Sequence, residues 1–211
     1  MNLQKPSPSP SPSSTPPPPS LGRRRAFIVL LCGVLVLAAT IGYGLMTMRG
    51  GAPAASLIGG PFKLVSADGG AVTDADLKGA PFLVFFGYTH CPDVCPATLA
   101  EMSDVLARLP GKPVKALFIT VDPERDTVAA MKDYVSNFDP RIVGLTGDRA
   151  AIDQVEKAYR VYAHKAPQPS GDYTMDHSAI VYLMDSQGRF VEAFDLGRKP
   201  EDSAKELAKY L

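Results

Sequence analysis

The sequence of 211 residues lacks an excess of either charge, because it holds 22 basic and 22 acidic residues. Acidic residues are entirely missing from residues 1–50, where five of the basic ones lie. The rest of the chain therefore has 17 basic against 22 acidic residues, a net charge of −5. A domain with this acidic balance is a poor partner for the phosphates of nucleic acids, so we expect no nucleic-acid binding.

Apolar residues are almost missing from residues 1–20, which read MNLQKPSPSPSPSSTPPPPS. Segments rich in Pro and Ser with so little to bury do not form a core and stay extended. We interpret residues 1–25, which end in the basic run Arg23, Arg24 and Arg25, as a disordered cytoplasmic tail.

Charged residues are absent from residues 26–48, AFIVLLCGVLVLAATIGYGLMTM. As a helix rising about 1.5 Å per residue, this run would span the roughly 30 Å hydrocarbon core of a bilayer. Three arginines precede the run and only Arg49 closely follows it, which predicts an anchor in the bacterial inner membrane with a cytoplasmic N-terminus. The C-terminal domain would then be periplasmic. A cleaved signal peptide, cut near APA at 52–54, is the alternative.

Residues 57–211, after a short linker at 49–56, have the length of one domain. Apolar runs typical of buried strands alternate with segments of helical periodicity, and a turn signal at 68–70 predicts an N-terminal hairpin. This order predicts a thioredoxin-like α/β fold with a mostly parallel sheet. We expect one helix to extend through Tyr162 and residues 164–176 to form a long loop.

Two cysteines, Cys91 and Cys95, lie in the segment YTHCPDVCP, where an apolar strand gives way to a helix. Sulfur atoms at a helix N-terminus meet free N–H groups and the positive end of the dipole, which favours the thiolate. We therefore expect both cysteines to be reactive. Three interpretations stay open: a structural disulfide, a redox pair, and two ligands of one metal ion.

A metal site would need a third ligand, and the chain has three histidines. His90 adjoins Cys91 and should point away from it in an extended segment. His164 lies in a segment expected to be exposed. His177 is the favoured candidate, because it precedes a predicted strand in a loop that the predicted fold brings beside the cysteines. Two thiolates and one imidazole suit Cu(I), and Zn(II) with an open position would also accept them.

Four separated segments together resemble the Sco/SenC family of copper proteins: FFGYTHCPDVCPATLAEM, ITVDPERDT, VGLTGDRAAIDQVEKAYRVY and YTMDHSAIVYLMDSQGRF. The resemblance covers residues 57–211 and implies a thioredoxin-like fold. It implies a membrane-anchored metallochaperone that binds one copper ion, Cu(I) or Cu(II), through Cys91, Cys95 and His177. The implied role is assembly of the CuA centre in subunit II of cytochrome c oxidase. Other periplasmic copper chaperones or thiol reductants would be further partners.

A thiol–disulfide reductase is the alternative from another class of protein. Such a periplasmic enzyme would use Cys91 and Cys95 as catalytic residues to keep the subunit II cysteines reduced. An ordinary thioredoxin-like reductant has Cys-x-x-Cys and a proline just before the strand that begins here at Ser178. This chain has the wider cysteine spacing, and Asp176 and His177 stand in that place.

Two aspartates in the segment VDPERDT follow a second predicted strand. We expect Asp122 to end the strand in a turn and Asp126 to cap the next helix. A second interpretation has Asp122 shape the electrostatics of the copper face. The segment 164–176 is a candidate for a mobile element that brings His177 onto the metal or meets a partner.

Overall fold

A computed structural model describes residues 21–49, 57–169 and 171–211. The chain divides into two units, Met1–Ala54 and Ala55–Leu211, which are treated separately. Most of the predicted tail and most of the predicted linker lie outside the described residues.

The first unit contains helix α1 (Leu21–Arg49). The side chains of residues 27–43 are all exposed, including large apolar ones such as Phe27, which is 76% exposed. Within the described ranges, no helix combines the length and the apolar character that crossing a membrane requires. The predicted anchor at 26–48 stays a prediction.

The second unit contains nine strands and four α-helices among its described residues. The strands are β1 (Lys63–Ser66), β2 (Ala71–Thr73), β3 (Phe82–Gly87), β4 (Lys115–Thr120), β5 (Ile142–Thr146), β6 (Ala163–Pro167), β7 (Tyr173–His177), β8 (Val181–Met184) and β9 (Phe190–Ala193). The helices are α2 (Val94–Ala107), α3 (Val128–Val135), α4 (Arg149–Tyr159) and α5 (Pro200–Ala208), with a 3-10 helix at Asp74–Leu77.

Seven strands form one sheet in the order β2-β1-β5-β4-β3-β8-β9. The pairs β3–β4 and β4–β5 are parallel, whereas the four other neighbouring pairs are antiparallel. The prediction of a mostly parallel sheet was therefore wrong. The predicted N-terminal hairpin β1–β2 is confirmed, and it joins one edge of the sheet while the hairpin β8–β9 joins the other. Strands joined by tight turns can only run antiparallel.

The centre of the sheet is fully buried. All six residues of β3 are buried, and so are the last five residues of β4. A strand that is covered on both faces has a continuous apolar sequence, which explains the runs FLVFFG and ALFIT. The core that surrounds these strands includes Phe85, Phe86, Phe118, Leu99 and Tyr159, each at most 2% exposed. The C-terminal ends of β3 and β4 are thereby held in fixed positions.

Helix α4 is shorter than its sequence pattern predicts. It ends at Tyr159 because Arg160 adopts the left-handed conformation, with φ at 55°, and its N–H bonds the carbonyls of Glu156 and Lys157. A left-handed residue at this place ends an α-helix. The prediction that the helix continues through Tyr162 was wrong, and Tyr162 is 61% exposed.

Residues 164–176 are not one long loop, as their Pro and Gly content suggested. Strands β6 and β7 form an antiparallel hairpin in which Ala163 pairs with His177 and Pro167 with Tyr173. Of the residues that suggested a loop, Pro167 ends strand β6, whereas Pro169 and Gly171 lie in the short connection between the strands. His177 is therefore the last residue of a strand. The prediction that it lies in a loop was wrong.

Candidate metal centre

Cys91 and Cys95 lie on either side of the start of helix α2. The N–H of Cys91 donates to the carbonyl of Tyr88 at 3.2 Å, which closes a turn after β3. The helix begins at Val94, so Cys91 stands before it and Cys95 lies in its first turn. The N–H of Cys95 donates to the Cys91 sulfur at 3.4 Å, which places that sulfur at the helix N-terminus.

His177 completes a group of three potential ligands. Its Nε2 lies 3.7 Å from the Cys95 sulfur, and the ligand atoms of Cys91, Cys95 and His177 all lie within 4.8 Å of one another. Its Nδ1 lies 3.1 Å from the carbonyl oxygen of Ser178. Because a carbonyl only accepts hydrogen bonds, Nδ1 carries the proton and Nε2 keeps its lone pair for a metal.

The surroundings of His177 keep its ring neutral. The rings of Phe85 and Tyr88 pack edge-on against it, with centroids 6.4 and 5.8 Å away. Burial lowers the pKa of His177 and outweighs the bond to the Ser178 carbonyl. A neutral imidazole is the form that binds metals.

The two cysteines differ in their access to solvent. Cys91 is half-buried, whereas Cys95 is fully buried, and all three cysteines of the chain are free of disulfide bonds. Burial raises the pKa of Cys95. The helix N-terminus was expected to favour the thiolate and to make both cysteines reactive. At Cys95 burial acts against this effect, because desolvation disfavours the charged sulfur.

Gly87, the last residue of β3, leaves the space that the Cys95 sulfur fills. A Cβ atom at this position would lie 2.7 Å from the Cys95 sulfur and 2.7 Å from Cε2 of Phe118. Contacts this short force a neighbouring group to move. The metal centre therefore requires a glycine at the end of this strand.

Asp126 supports the turn between β3 and α2, which carries Cys91, through hydrogen bonds with Thr89. It is fully buried and accepts hydrogen bonds from the N–H of Thr89 at 3.1 Å and the hydroxyl of Thr89 at 2.6 Å. The hydroxyl of Thr120 donates to it at 2.6 Å. The prediction that Asp126 caps the next helix was wrong, because the cap of α3 is Thr127, which accepts from the N–H of Ala130.

Asp122 lies in a backbone turn, as expected, and its side chain ties the β6–β7 hairpin to the sheet. It is 1% exposed, pairs with Arg125 and accepts a hydrogen bond from the Tyr173 hydroxyl at 2.9 Å. The Arg125 guanidinium lies 3.8 Å from the centre of the Tyr173 ring and donates to the Tyr173 carbonyl at 3.0 Å. This clamp helps to position the strand that ends in His177.

The structure separates the other two histidines from the three-ligand group. The His90 side chain is 54% exposed, and His164 is an exposed residue of β6. In the part of the chain that the structure describes, Cys91, Cys95 and His177 form the single such group of three or more residues. Sequence reasoning missed the roles of Gly87, Thr89 and Thr120, because none of them belongs to a ligand motif.

The sheet, the strand–helix junction and the Cys–Cys–His group together define a thioredoxin-like protein with a candidate metal centre. A family model described as SCO1/SenC matches residues 50–211. The chain therefore belongs to the SCO1/SenC family.

Relatives of known name and structure agree with this assignment. The chain is 41% identical to the human mitochondrial protein SCO1 homolog over 160 residues, which cover 74% of this chain and 53% of that protein. It thus spans about half the length of that relative. It resembles the copper-bound structure of Bradyrhizobium japonicum ScoI at 58% identity and a TM-score of 0.71, covering 73% of this chain and 99% of that one. Copper-bound yeast Sco1 matches at 37% identity and a TM-score of 0.67, covering 72% and 87%.

We predict that Gly87→Ala destabilises the protein by about 1–3 kcal/mol, because the added methyl overlaps the Cys95 sulfur and the Phe118 ring. Urea unfolding measures this change. Gly70→Ala is the matched control, since its Cβ would meet only the Ser66 hydroxyl at 3.6 Å. Equal free energies of unfolding for both variants and the wild type would contradict the packing argument.

We also predict that iodoacetamide modifies Cys91 faster than Cys95 in the metal-free protein. The Cys95 sulfur is buried and its pKa is raised, so little of it is a reactive thiolate. The rates are compared by mass spectrometry in Cys95→Ser and Cys91→Ser variants that also carry Cys32→Ser. We expect a ratio of at least about tenfold, the effect of one pKa unit on thiolate content. Similar rates would speak against the burial of Cys95 in solution.

Proposed function

We propose that this protein is a copper metallochaperone for the assembly of cytochrome c oxidase. The observation that carries the proposal is the convergence of the Cys91, Cys95 and His177 ligand atoms within 4.8 Å. Two thiolates are soft ligands that suit Cu(I), and an imidazole also suits Cu(II). The copper-bound relatives favour copper over zinc as the cargo.

We propose the CuA domain of oxidase subunit II as the recipient of the copper. Membership of the SCO1/SenC family supports this choice of partner. The half-buried Cys91 supports a delivery mechanism by ligand exchange, because a ligand of the recipient can reach the copper on that side. Other periplasmic copper chaperones or thiol reductants would load the site or keep its cysteines reduced.

A thiol–disulfide reductase is the second candidate, and the unequal exposure of the two cysteines favours it. The Cys91 thiolate would attack a disulfide of the partner, forming a mixed disulfide and releasing one partner thiol. The Cys95 sulfur would then attack Cys91. This step forms the Cys91–Cys95 disulfide and releases the second partner thiol, so two electrons pass to the partner. Against this function stands His177, which disulfide exchange does not need.

We propose further that α1 anchors the protein in the bacterial inner membrane, with the N-terminus cytoplasmic and the second unit periplasmic. The absence of charge from residues 26–48 and the exposed apolar side chains at 27–43 support an apolar environment for this helix. The three arginines before the helix, against Arg49 after it, support the orientation.

We predict that the full-length protein with Cys32→Ser binds one copper ion. Cys91→Ser and Cys95→Ser should each weaken Cu(I) binding by more than about 100-fold, since changes that only touch a ligand's neighbours already cost about 10- to 100-fold. His177→Ala should weaken Cu(II) binding most, because two thiolates can still hold Cu(I). Titration against a chelator of known affinity measures all three. Tight one-to-one binding by either serine variant would contradict the ligand assignment.

The same variants separate the two candidate functions in cells. If the protein is a chaperone, cells that carry His177→Ala should lose oxidase activity. The purified variant should still reduce an oxidised CuA domain at nearly the wild-type rate. A reductase predicts normal oxidase activity in the His177→Ala strain and failure in both cysteine variants.

We predict that α1 stays in the mature protein and that alkaline carbonate leaves it in the membrane fraction. Replacing Leu31 and Leu35 by Asp should release the protein, because each charge costs about 2.5–3.5 kcal/mol in a membrane-spanning helix. N-terminal sequencing of the mature protein provides the second measurement. A mature N-terminus near Ala55 would show that the segment is a cleaved signal peptide.

A further inference from the structure

A pocket of about 310 Å³ lies at the end of the sheet where β3 and β4 begin. Phe82 and Lys115, the first residues of these two parallel strands, pair with each other and both line the pocket. The metal centre lies at the other end of β3, where Gly87 adjoins the Cys95 sulfur. The two ends of this strand are about 17 Å apart, at a rise of about 3.3 Å per residue. A ligand in the pocket would therefore leave the metal centre uncovered.

The lining of the pocket is mainly apolar. Leu77, Phe82 and Val114 line it and are themselves at most 5% exposed, so their side chains belong to the core. Pro81 and Pro113 complete the apolar part of the lining. Pockets for small molecules usually have volumes of about 300–1,000 Å³ and walls of this kind. The pocket is thus large enough for a polar head group and the first methylene groups of a chain.

Three lysines give the pocket a positive rim. Lys78, Lys112 and Lys115 all line it and are exposed residues. None of the three forms an ion pair with any residue that the structure describes, whereas Lys165, for example, is paired with Glu124. A lysine side chain can lay its methylene stem along apolar surface and keep its ammonium group in water. The rim can therefore meet an anion while the stems extend the apolar lining.

The other charged groups of the lining leave these lysines largely unneutralised. Arg141 is engaged by Asp139, with its Nε 2.9 Å from Oδ1 and its Nη2 2.7 Å from Oδ2. Asp76 accepts hydrogen bonds from the N–H and the hydroxyl of Thr73, at 2.8 and 2.6 Å. These two bonds do most to lower the pKa of Asp76, and attraction to Lys115 does least. Positive charge thus gathers at this pocket although residues 51–211 have a net charge of −5.

We propose that this pocket binds the anionic head group of a membrane phospholipid. The phosphate would lie among the ammonium groups of Lys78, Lys112 and Lys115, and the start of an acyl chain would lie on the apolar lining. This role rests on the proposed membrane anchor and is independent of copper. A tethered domain meets lipid head groups at a high effective concentration, which favours a lipid over a soluble amphipathic anion. A lipid held here would orient the metal centre away from the bilayer, where a partner protein can reach it.

Native mass spectrometry of the full-length protein in the neutral detergent dodecyl maltoside measures this binding. Titration with phosphatidylglycerol should show saturable binding of one lipid that the combined change Lys78→Glu and Lys112→Glu weakens by about tenfold or more, because two attractions become repulsions. The matched control combines Lys157→Glu and Lys199→Glu. These two lysines are also exposed and without an ion pair among the described residues, but they do not line the pocket. The control should change the affinity by less than about twofold.

Two further ligands separate the contributions of charge and chain. Phosphatidylcholine keeps the chains but has a zwitterionic head group, and glycerol 1-phosphate keeps the anionic group without a chain. Each should bind at least about tenfold more weakly than phosphatidylglycerol, since each lacks one half of the match. Phosphatidylglycerol with a photoreactive chain should form adducts within residues 76–82 and 112–115.

Several outcomes would overturn lipid binding at this pocket. Equal losses of affinity in the two double variants would reduce the effect to overall charge, and adducts confined to residues 21–49 would place the lipid on α1. Tighter binding of soluble dodecyl phosphate than of phosphatidylglycerol would assign the pocket to a soluble amphipathic anion. Thermal unfolding and copper titration of each variant show that the fold and the metal centre are intact. Alkaline carbonate extraction tests the anchor separately, so failure of the anchor and failure of the pocket are distinguishable.

Discussion

The Cys95 sulfur is part of the hydrophobic core, and the geometry of the candidate site depends on its burial. The sulfur fills space that a side chain on Gly87 would take, beside the Phe118 ring. The contacts that hold β3 against β4 therefore also fix the Cys95 sulfur, which is one of the three candidate ligands. Moving this ligand would mean opening a close-packed core. The other two ligands are brought to this fixed point, Cys91 by the turn before α2 and His177 by the end of β7.

Each of these two ligands has its own polar support. The turn of Cys91 is tied through Thr89 to the buried Asp126, and the strand of His177 is tied through Tyr173 to the buried Asp122. Leaving a buried group without one of its hydrogen-bond partners costs about 1–3 kcal/mol, and more for a charged group such as a carboxylate, so neither tie is easily broken. Ligands that are held before the metal arrives need little reorganisation on binding. A carrier must also release its cargo, and the half-buried Cys91 leaves one side of the site accessible.

The regular elements were predictable where burial leaves a periodic pattern in the sequence. The continuous apolar runs of β3 and β4 and the helical spacing in α2 are of this kind. The hairpin β6–β7 was missed because its residues are mostly half-buried or exposed and show no apolar alternation. Its attachment depends on Arg125 and Tyr173, which are 48 residues apart. Both edge hairpins pair antiparallel with the parallel strands at the centre of the sheet. The apolar pattern of a strand does not indicate its direction, so the sequence did not predict this arrangement.

The sequence by itself determined the strand–helix junction with its two cysteines, because residue types and their spacing are local properties. It predicted His177 as the third ligand only through the expected fold, since this residue lies 82 residues from Cys95. It also carried the family resemblance. Tertiary structure alone decided that Cys95 is buried with a raised pKa while Cys91 stays accessible. It also decided that Asp126 binds Thr89, which lies 37 residues away, rather than a helix end. Burial and long-range hydrogen bonds arise only when distant segments meet, so no local pattern reveals them.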